Sequence, residues 1–311
     1  MKHLTDYIRI ARIDHWIKQL FILPGTVFAL FLTREYGYSN SIQNTLVALL
    51  ATSFIASANY VINEWLDAQF DQFHPTKKKR PVVSGNVKLS GVIIEYVLLS
   101  VLGFLCAIYV SKYVFFMELW LWVMGILYNV KPFRTKEIPY VDVLSESINN
   151  AIRLLIGWFA ITEQFVPPVS IVLGYWMGGA FLMATKRFAE YRMINNKELA
   201  SSYRKSFKYY TESTLMISAF FYALLSVFFS GVFLIKYRVE LILDIPFICG
   251  LFCVYFHLAY KEDSSAQKPE KLFKEKGLML YLMILFVITC ILMVVDIPQL
   301  DWILGTDIIG I

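Results

Sequence analysis

Apolar residues run in blocks of about fifteen to twenty-six along most of this chain, and short polar connections separate the blocks. A block of about twenty apolar residues is what a helix needs to cross the hydrocarbon layer. The blocks at about 19–33, 44–65, 91–111, 114–130, 140–161, 168–187, 210–235, 240–260 and 278–297 predict an all-α polytopic membrane protein. The expected architecture is a bundle of nine transmembrane helices around a cavity open to the cytoplasmic side. Residues 1–16 follow a different rule. Tyr7, Ile8, Ile10, Ala11 and Ile13 alternate with His3, Asp6, Arg9, Arg12 and Asp14, which predicts an amphipathic helix lying in the membrane interface. The connections are too short for a further domain, so residues 1–311 are expected to form one transmembrane domain.

Composition agrees with this pattern. Of 311 residues, 58% are hydrophobic and 17% charged, and the mean hydropathy is +0.56, which excludes an ordinary soluble domain. No cleavable signal is visible at the start, so insertion is expected to use the first internal helix. The net charge of +5 is accounted for by topology and implies no nucleic acid. Only Arg34, Lys112, Lys236 and Arg238 fall in odd-numbered connections, and Arg153 falls inside a span. Every other Lys and Arg sits at the N-terminus or in an even-numbered connection, which the positive-inside rule places, with the N-terminus, in the cytoplasm and the C-terminus outside. Cys106, Cys249, Cys253 and Cys290 all lie in apolar runs and read as buried small hydrophobes.

Candidate chemistry gathers at the end of the second span. Asn59, Asn63, Asp67 and Asp71 recur every four residues, about 40° apart around a helix, and so share one face. Carboxylate and amide oxygens in that register suit a hard ion such as Mg2+, which takes one or two carboxylates and leaves its remaining positions to water and substrate phosphates. A break at His74-Pro75-Thr76 and a basic run, Lys77 to Arg80, follow. The basic run serves either as a topology signal or as an anion site.

The fifth span carries Asp142, Glu146, Asn149 and Arg153 on one face. A charge at bilayer depth costs about 2.5–3.5 kcal/mol on insertion scales, so these groups should face a cavity or one another. Glu146 and Arg153 lie two turns apart, so each needs another partner, and a polar cavity lined by the second, fifth and sixth spans would supply one. After the sixth span, Lys186, Arg187 and Glu190 lie within about a turn. Lys186 and Glu190 can pair at i, i+4, while Lys186 and Arg187 also suit phosphate oxygens. The polar ends of the second and sixth spans are expected to face each other across one cavity.

At these residues the chain resembles the UbiA superfamily of intramembrane prenyltransferases, whose first motif is an Asn and two Asp in the spacing of Asn63, Asp67 and Asp71. More narrowly, it looks like the decaprenyl-phosphate phosphoribosyltransferase branch. The resembling stretches are Asp14 to Gln19, Asp71 to Gly85, Tyr128-Asn129, Asp142, Arg153 to Gly157, Lys186 to Glu190 and Tyr203 to Tyr210, with a loose match near Lys268-Pro269-Glu270. Glu64 stands where the family usually has Asp. Lys186, Arg187 and Glu190 stand where ordinary members carry a second Asp-rich motif.

The resemblance implies a Mg2+-dependent enzyme of the bacterial plasma membrane. It would transfer 5-phosphoribosyl from phosphoribosyl diphosphate to a polyprenyl phosphate in cell wall biosynthesis. Asn63, Asp67 and Asp71 would hold the metal and be catalytic, while Lys18, Lys77, Arg80, Arg153, Lys186, Arg187 and Glu190 would form the phosphate-binding set. The alternative is transfer of a prenyl group from a prenyl diphosphate to an aromatic or other small acceptor. A transporter is a more distant reading.

Overall fold

The structure, a computed structural model, describes residues 2–33, 38–73, 77–261, 264–267, 272 and 274–304. Arg34, the His74-Pro75-Thr76 break and the Lys268-Pro269-Glu270 match lie outside the described residues. The described residues are all helix, turn and connection. The helices are α1 (Lys2–Ile10), α2 (Leu23–Thr33), α3 (Tyr38–Asp71), α4 (Leu89–Val110), α5 (Lys112–Asn129), α6 (Val141–Phe159), α7 (Val169–Ile194), α8 (Lys197–Tyr203), α9 (Glu212–Tyr237), α10 (Ile245–Leu258), α11 (Lys276–Val294) and α12 (Pro298–Leu304).

Among the described residues, seven segments are long and apolar enough to cross a membrane: Thr5–Thr33, Asn40–Asp71, Leu89–Val110, Val169–Ile194, Glu212–Tyr237, Val239–Leu258 and Lys276–Val294. The expected count of nine therefore stands at seven on length and apolarity. The other two expected spans coincide with α5 and α6, of 18 and 19 residues. Polar ends at Lys112 and Asn129 dilute α5, and Asp142, Glu146 and Arg153 dilute α6. Neighbours cover much of this polarity, since α6 packs against α2, α5 and α7 and buries Asp142, Ser145, Ser147 and Arg153. The four cysteines also depart from expectation: Cys106 is half-buried, while Cys249, Cys253 and Cys290 are exposed on the bundle's outer surface.

The N-terminal segment is not one helix through residue 16. α1 stops at Ile10, Arg12 adopts a left-handed conformation (φ 51°), and a 3₁₀ segment, Ile13–Ile22, leads directly into α2. Arg12 takes that turn with its guanidinium on Glu64 of α3, Nη2 to Oε2 3.2 Å. Behind it, Gly25 and Gly157 bring α2 and α6 into backbone contact. A Cβ on Gly25 would meet the Leu154 carbonyl oxygen at 1.9 Å, and one on Gly157 the Ile22 carbonyl oxygen at 2.1 Å. Small residues at a helix crossing allow this approach in a membrane, where apolar burial alone does little to hold helices together.

α3 has 34 residues, about 51 Å of helix against a hydrocarbon thickness of about 30 Å. It therefore continues past the apolar layer at its C-terminal end, carrying Asp67 and Asp71 as helical residues. α7 does the same over Lys186 to Ile194. These two extensions are on one side of the bundle, joined by Lys77 to Glu190, Nζ to Oε1 3.1 Å. Reporter fusions test the orientation inferred from basic residues. A fusion at Lys78 is expected to read as cytoplasmic and one at Lys112 as external, and the reverse pattern would invert the topology.

Candidate active site

The four-residue register of α3 places Asn59, Asn63, Asp67 and Asp71 on one face, and each is engaged by another element. Asn59 donates to the Leu121 carbonyl (3.1 Å) and Asn63 to Asn129 Oδ1 (2.6 Å), both on α5. Gly125 makes the first contact possible, because a Cβ there would lie 2.0 Å from Asn59 Oδ1. Asp67 Oδ1 accepts from Arg134 Nη2 at 2.8 Å and from Lys136 Nζ. Asp71 Oδ2 accepts from Arg80 Nη1. Arg80 and Lys77 thus turn back onto the site from the basic run.

Arg134 and Lys136 come from the connection between α5 and α6, where their charges first read as topology signals. Arg134 sits at φ 34°, a conformation that costs an ordinary residue energy and persists where its surroundings enforce it. Here the enforcement is visible: Arg134 also donates Nη1 to the Asn129 carbonyl at 2.8 Å and Nε to Glu137 at 2.6 Å. Burial pushes the Lys136 ammonium down to about 8 even with Asp67 beside it. Burial acts to raise the Glu137 carboxyl, but hydrogen bonds from Lys205 and Arg134 hold it below its ordinary value. Burial likewise lowers Lys77, against the opposing pull of Glu190.

A second cluster is centred on Arg187, whose side chain is 1% exposed. Its Nη2 reaches Glu146 and, at 3.2 Å, the Tyr128 hydroxyl. Its Nε lies 3.5 Å from Asp142 and its Nη1 3.7 Å from Glu190. Asp142 in turn accepts from Tyr210 (2.7 Å) and Ser206 (3.1 Å), with Arg204 3.7 Å away. The expected Lys186–Glu190 pairing along the helix is replaced by pairing between elements: Lys186 faces Glu146 at 3.6 Å, while Glu190 takes Lys77 and the Tyr203 hydroxyl, both at 3.1 Å. Tyr128, Tyr203, Arg204, Ser206 and Tyr210 carried no assigned role in the sequence. Their signals were membership of the stretches that resemble the family and, for Tyr203, Arg204 and Ser206, a basic cluster over Ser201 to Tyr209 that the positive-inside rule already explains.

The remaining phosphate-binding candidates, Lys18 and Arg153, make no ion pair among the described residues with the carboxylates of these clusters. Lys18 Nζ is 3.0 Å from His15 Nδ1, and Arg153 is buried deeper on α6 against Gln19. Glu64 is 2% exposed and engaged by Arg12 at 3.2 Å and Arg80 at 3.9 Å, so it ties the N-terminal turn and the basic run to α3. Between the two carboxylate clusters, Asp67, Phe70, Asp71, Arg134, Lys136, Glu137, Tyr203, Arg204 and Lys205 enclose about 30 Å³. That is room for one water; a diphosphate needs the arginine and lysine side chains to move. A wider hollow of about 530 Å³ lies beyond α7 along Arg192, Lys197, Glu212 and Lys261, away from both clusters.

The donor set at Asp67 and Asp71 suits a hard ion. Among the described residues, no hydrogen bond reaches Oδ2 of Asp67, Oδ1 of Asp71 or the Asn63 amide oxygen. No group of three or more His, Cys, Asp or Glu side chains with metal-binding geometry is present among the described residues. Mg2+ does not require one when substrate phosphates complete its shell.

Carboxylates and buried cations interleaved at one end of a helical bundle define a multi-pass membrane protein with a charged site at that end. The sequence model of the UbiA prenyltransferase family matches residues 22–285; the chain belongs to that family and is a membrane-embedded transferase. It is 26% identical over 224 residues to the decaprenyl-phosphate phosphoribosyltransferase of Mycolicibacterium smegmatis, covering 68% of this chain and 64%, just under two thirds, of the relative. It is 25% identical over 212 residues to the protein of the same name in Mycobacterium tuberculosis H37Rv, covering 68% of each chain. A protoheme IX farnesyltransferase of Acinetobacter baylyi is 28% identical over 189 residues, 56% of this chain and 63% of that one. Among solved structures, a UbiA homolog from Archaeoglobus fulgidus bound to GPP and Mg2+ superposes with a TM-score of 0.69 at 19% identity, over 91% of this chain and 99% of that one. That likeness establishes the shared fold.

Proposed function

We propose that the protein transfers 5-phosphoribosyl from phosphoribosyl diphosphate to a polyprenyl phosphate at the cytoplasmic face of a bacterial plasma membrane. The observation that carries this reading is the cation-rich second cluster. Lys186 and Arg187 occupy the end of α7, and Arg204, Lys77 and Arg80 gather close by. Such a surface suits phosphate groups that arrive with little metal. The relatives named as decaprenyl-phosphate phosphoribosyltransferases support the same donor and acceptor.

In this reading the free oxygens of Asp67 and Asp71, with the Asn63 amide oxygen, would hold Mg2+. The chemistry supplied by a bound Mg2+ is Lewis-acid neutralisation of a leaving diphosphate. Arg134, Lys136 and Arg80 exchange their carboxylate partners for phosphate oxygens and so hold the donor in place. The bond from the anomeric carbon to the diphosphate breaks with its electron pair on the leaving oxygen, and a lipid phosphate oxygen forms the new bond. That nucleophile is already anionic, so no general base is required.

Purified protein in detergent, given Mg2+ and either phosphoribosyl diphosphate with a polyprenyl phosphate or a prenyl diphosphate with an aromatic acceptor, distinguishes the two transferase readings. Mass spectrometry is expected to show a lipid product carrying the added ribose phosphate in the first mixture and no product in the second. Product from the second mixture alone would overturn the phosphoribosyl assignment and leave the family intact.

A further inference from the structure

Deeper in the bundle than either cluster lies a buried cation without a counter-charge. Arg153 of α6 is 8% exposed and lies seven residues beyond Glu146, about 10 Å farther from the polar end along the helix axis. Its partners are all neutral: Nε donates to Gln19 Oε1 at 2.7 Å, and Nη1 donates to the Asn149 carbonyl at 3.1 Å and Asn150 Oδ1 at 3.2 Å. Among the described residues no Asp or Glu comes within the 4.0 Å of an ion pair. The buried carboxyl of Glu118 on α5 is held by the Thr52 hydroxyl instead.

Unpartnered donors surround this guanidinium. Gln19 is 1% exposed, and its Nε2 amide has no acceptor. Arg153 Nη2 and the Tyr60 hydroxyl likewise carry no hydrogen bond among the described residues. Tyr60 packs edge-on against His15 at 5.2 Å, and His15 holds Lys18 at 3.0 Å, which adds a further cation to the same wall. A buried charge ordinarily survives because it is paired, and its desolvation otherwise costs several kcal/mol. Donors without acceptors beside a cation without an anion describe a site completed by an anionic ligand.

We propose that Arg153 and Gln19, with Tyr60 and Lys18 beside them, seat the anionic head of the lipid acceptor, while the Asp67 and Asp71 end takes the donor. This assignment rests on the phosphoribosyl reading above and divides its phosphates between two places. In an in-line, inverting displacement at the anomeric carbon the attacking and leaving oxygens stand on opposite sides. The leaving diphosphate lies at the polar end of α3, so the attacking phosphate belongs on the membrane side, where Arg153 stands. A phosphate held there has its chain already at hydrocarbon depth. The cation also lies away from the cluster that a soluble sugar diphosphate reaches first.

The test is thermal stabilisation of the purified full chain in detergent, titrated separately with farnesyl monophosphate and with phosphoribosyl diphosphate plus Mg2+. Ligand binding to the folded state raises the midpoint by an amount that grows as the logarithm of 1 + [L]/Kd, so the titrations give the relative affinities. Arg153→Met is expected to weaken farnesyl monophosphate about tenfold or more, Gln19→Leu less, and Arg153→Lys least, with donor affinity changed by less than about twofold in all three. If Arg153→Met does not fold, Gln19→Leu and Arg153→Lys carry the comparison alone. Unchanged farnesyl monophosphate affinity across the folded variants would overturn the seat and leave the phosphoribosyl reading standing. Loss confined to the donor, or equal loss of both ligands, would also overturn it, marking Arg153 as a donor or structural residue. A wild type that binds neither ligand but binds a prenyl diphosphate would overturn the phosphoribosyl reading itself, and the seat with it.

Discussion

Asp67→Asn and Asp71→Asn are each expected to reduce turnover by about 100-fold or more, which corresponds to losing roughly 3 kcal/mol of transition-state stabilisation. The loss should appear in kcat, because charge on the leaving diphosphate is greatest in the transition state. For Asp67→Asn the stability should change much less. The Asp67 side chain is 19% exposed, and an asparagine keeps an acceptor oxygen for Arg134, so the folded protein loses one charge-assisted component of a part-exposed network. That is of order 1–2 kcal/mol. The measurement pairs steady-state kinetics over a Mg2+ titration with thermal midpoints in detergent. Chelation of divalent ions should bring the wild type down to the level of the variants. Both variants turning over at the wild-type rate in chelator would remove the metal site from the proposal.

The carboxylates of that site were legible from spacing alone. A four-residue repeat keeps Asn59, Asn63, Asp67 and Asp71 on one face whatever the tertiary structure does, and α3 extends far enough to keep all four helical. Their partners were not legible. Arg134 and Lys136 stand 67 and 69 residues from Asp67, in a connection where the positive-inside rule already explains any basic residue, so their charge carried no separate signal. Lys186 and Glu190 mislead for the opposite reason: a local i, i+4 pair is the default on an isolated helix, and packing against α6 and the basic run offered both residues better partners. The span count shows the same limit. α5 and α6 appear in sequence as apolar blocks, but the polar face of α6 makes sense only once its neighbours are known to cover it. The break at Arg12 was equally hidden, because an amphipathic alternation continues smoothly through a residue that takes a left-handed turn to reach Glu64.

Arg187 is expected to be the residue whose loss destabilises the protein most. Arg187→Met would leave Asp142, Glu146 and Glu190 facing one another around a buried gap, and breaking a buried ion network by removing one partner typically costs about 3–5 kcal/mol. Against a total stability of about 5–15 kcal/mol, that is enough to lower the thermal midpoint sharply or prevent purification. Arg187→Lys keeps the charge but loses the planar fork that reaches Glu146, Asp142 and Glu190 from three nitrogens, so it should fall between the wild type and Arg187→Met. The surface pair Arg192–Glu212, with side chains 37% and 51% exposed, provides the contrast: Arg192→Ala should cost at most about 1 kcal/mol, since exposed pairs are screened and carry side-chain entropy. Adding Glu146→Gln to Arg187→Met should restore part of the lost stability by lowering the repulsion among the three carboxylates left around the gap, although Lys186 still faces position 146. Midpoints for the four variants decide the role of the guanidinium. If Arg187→Met keeps the wild-type midpoint while phosphoribosyl transfer disappears, the side chain acts on substrate phosphate. If the midpoint falls and Glu146→Gln recovers it, Arg187 is the tie that holds α6 and α7 in register around the site.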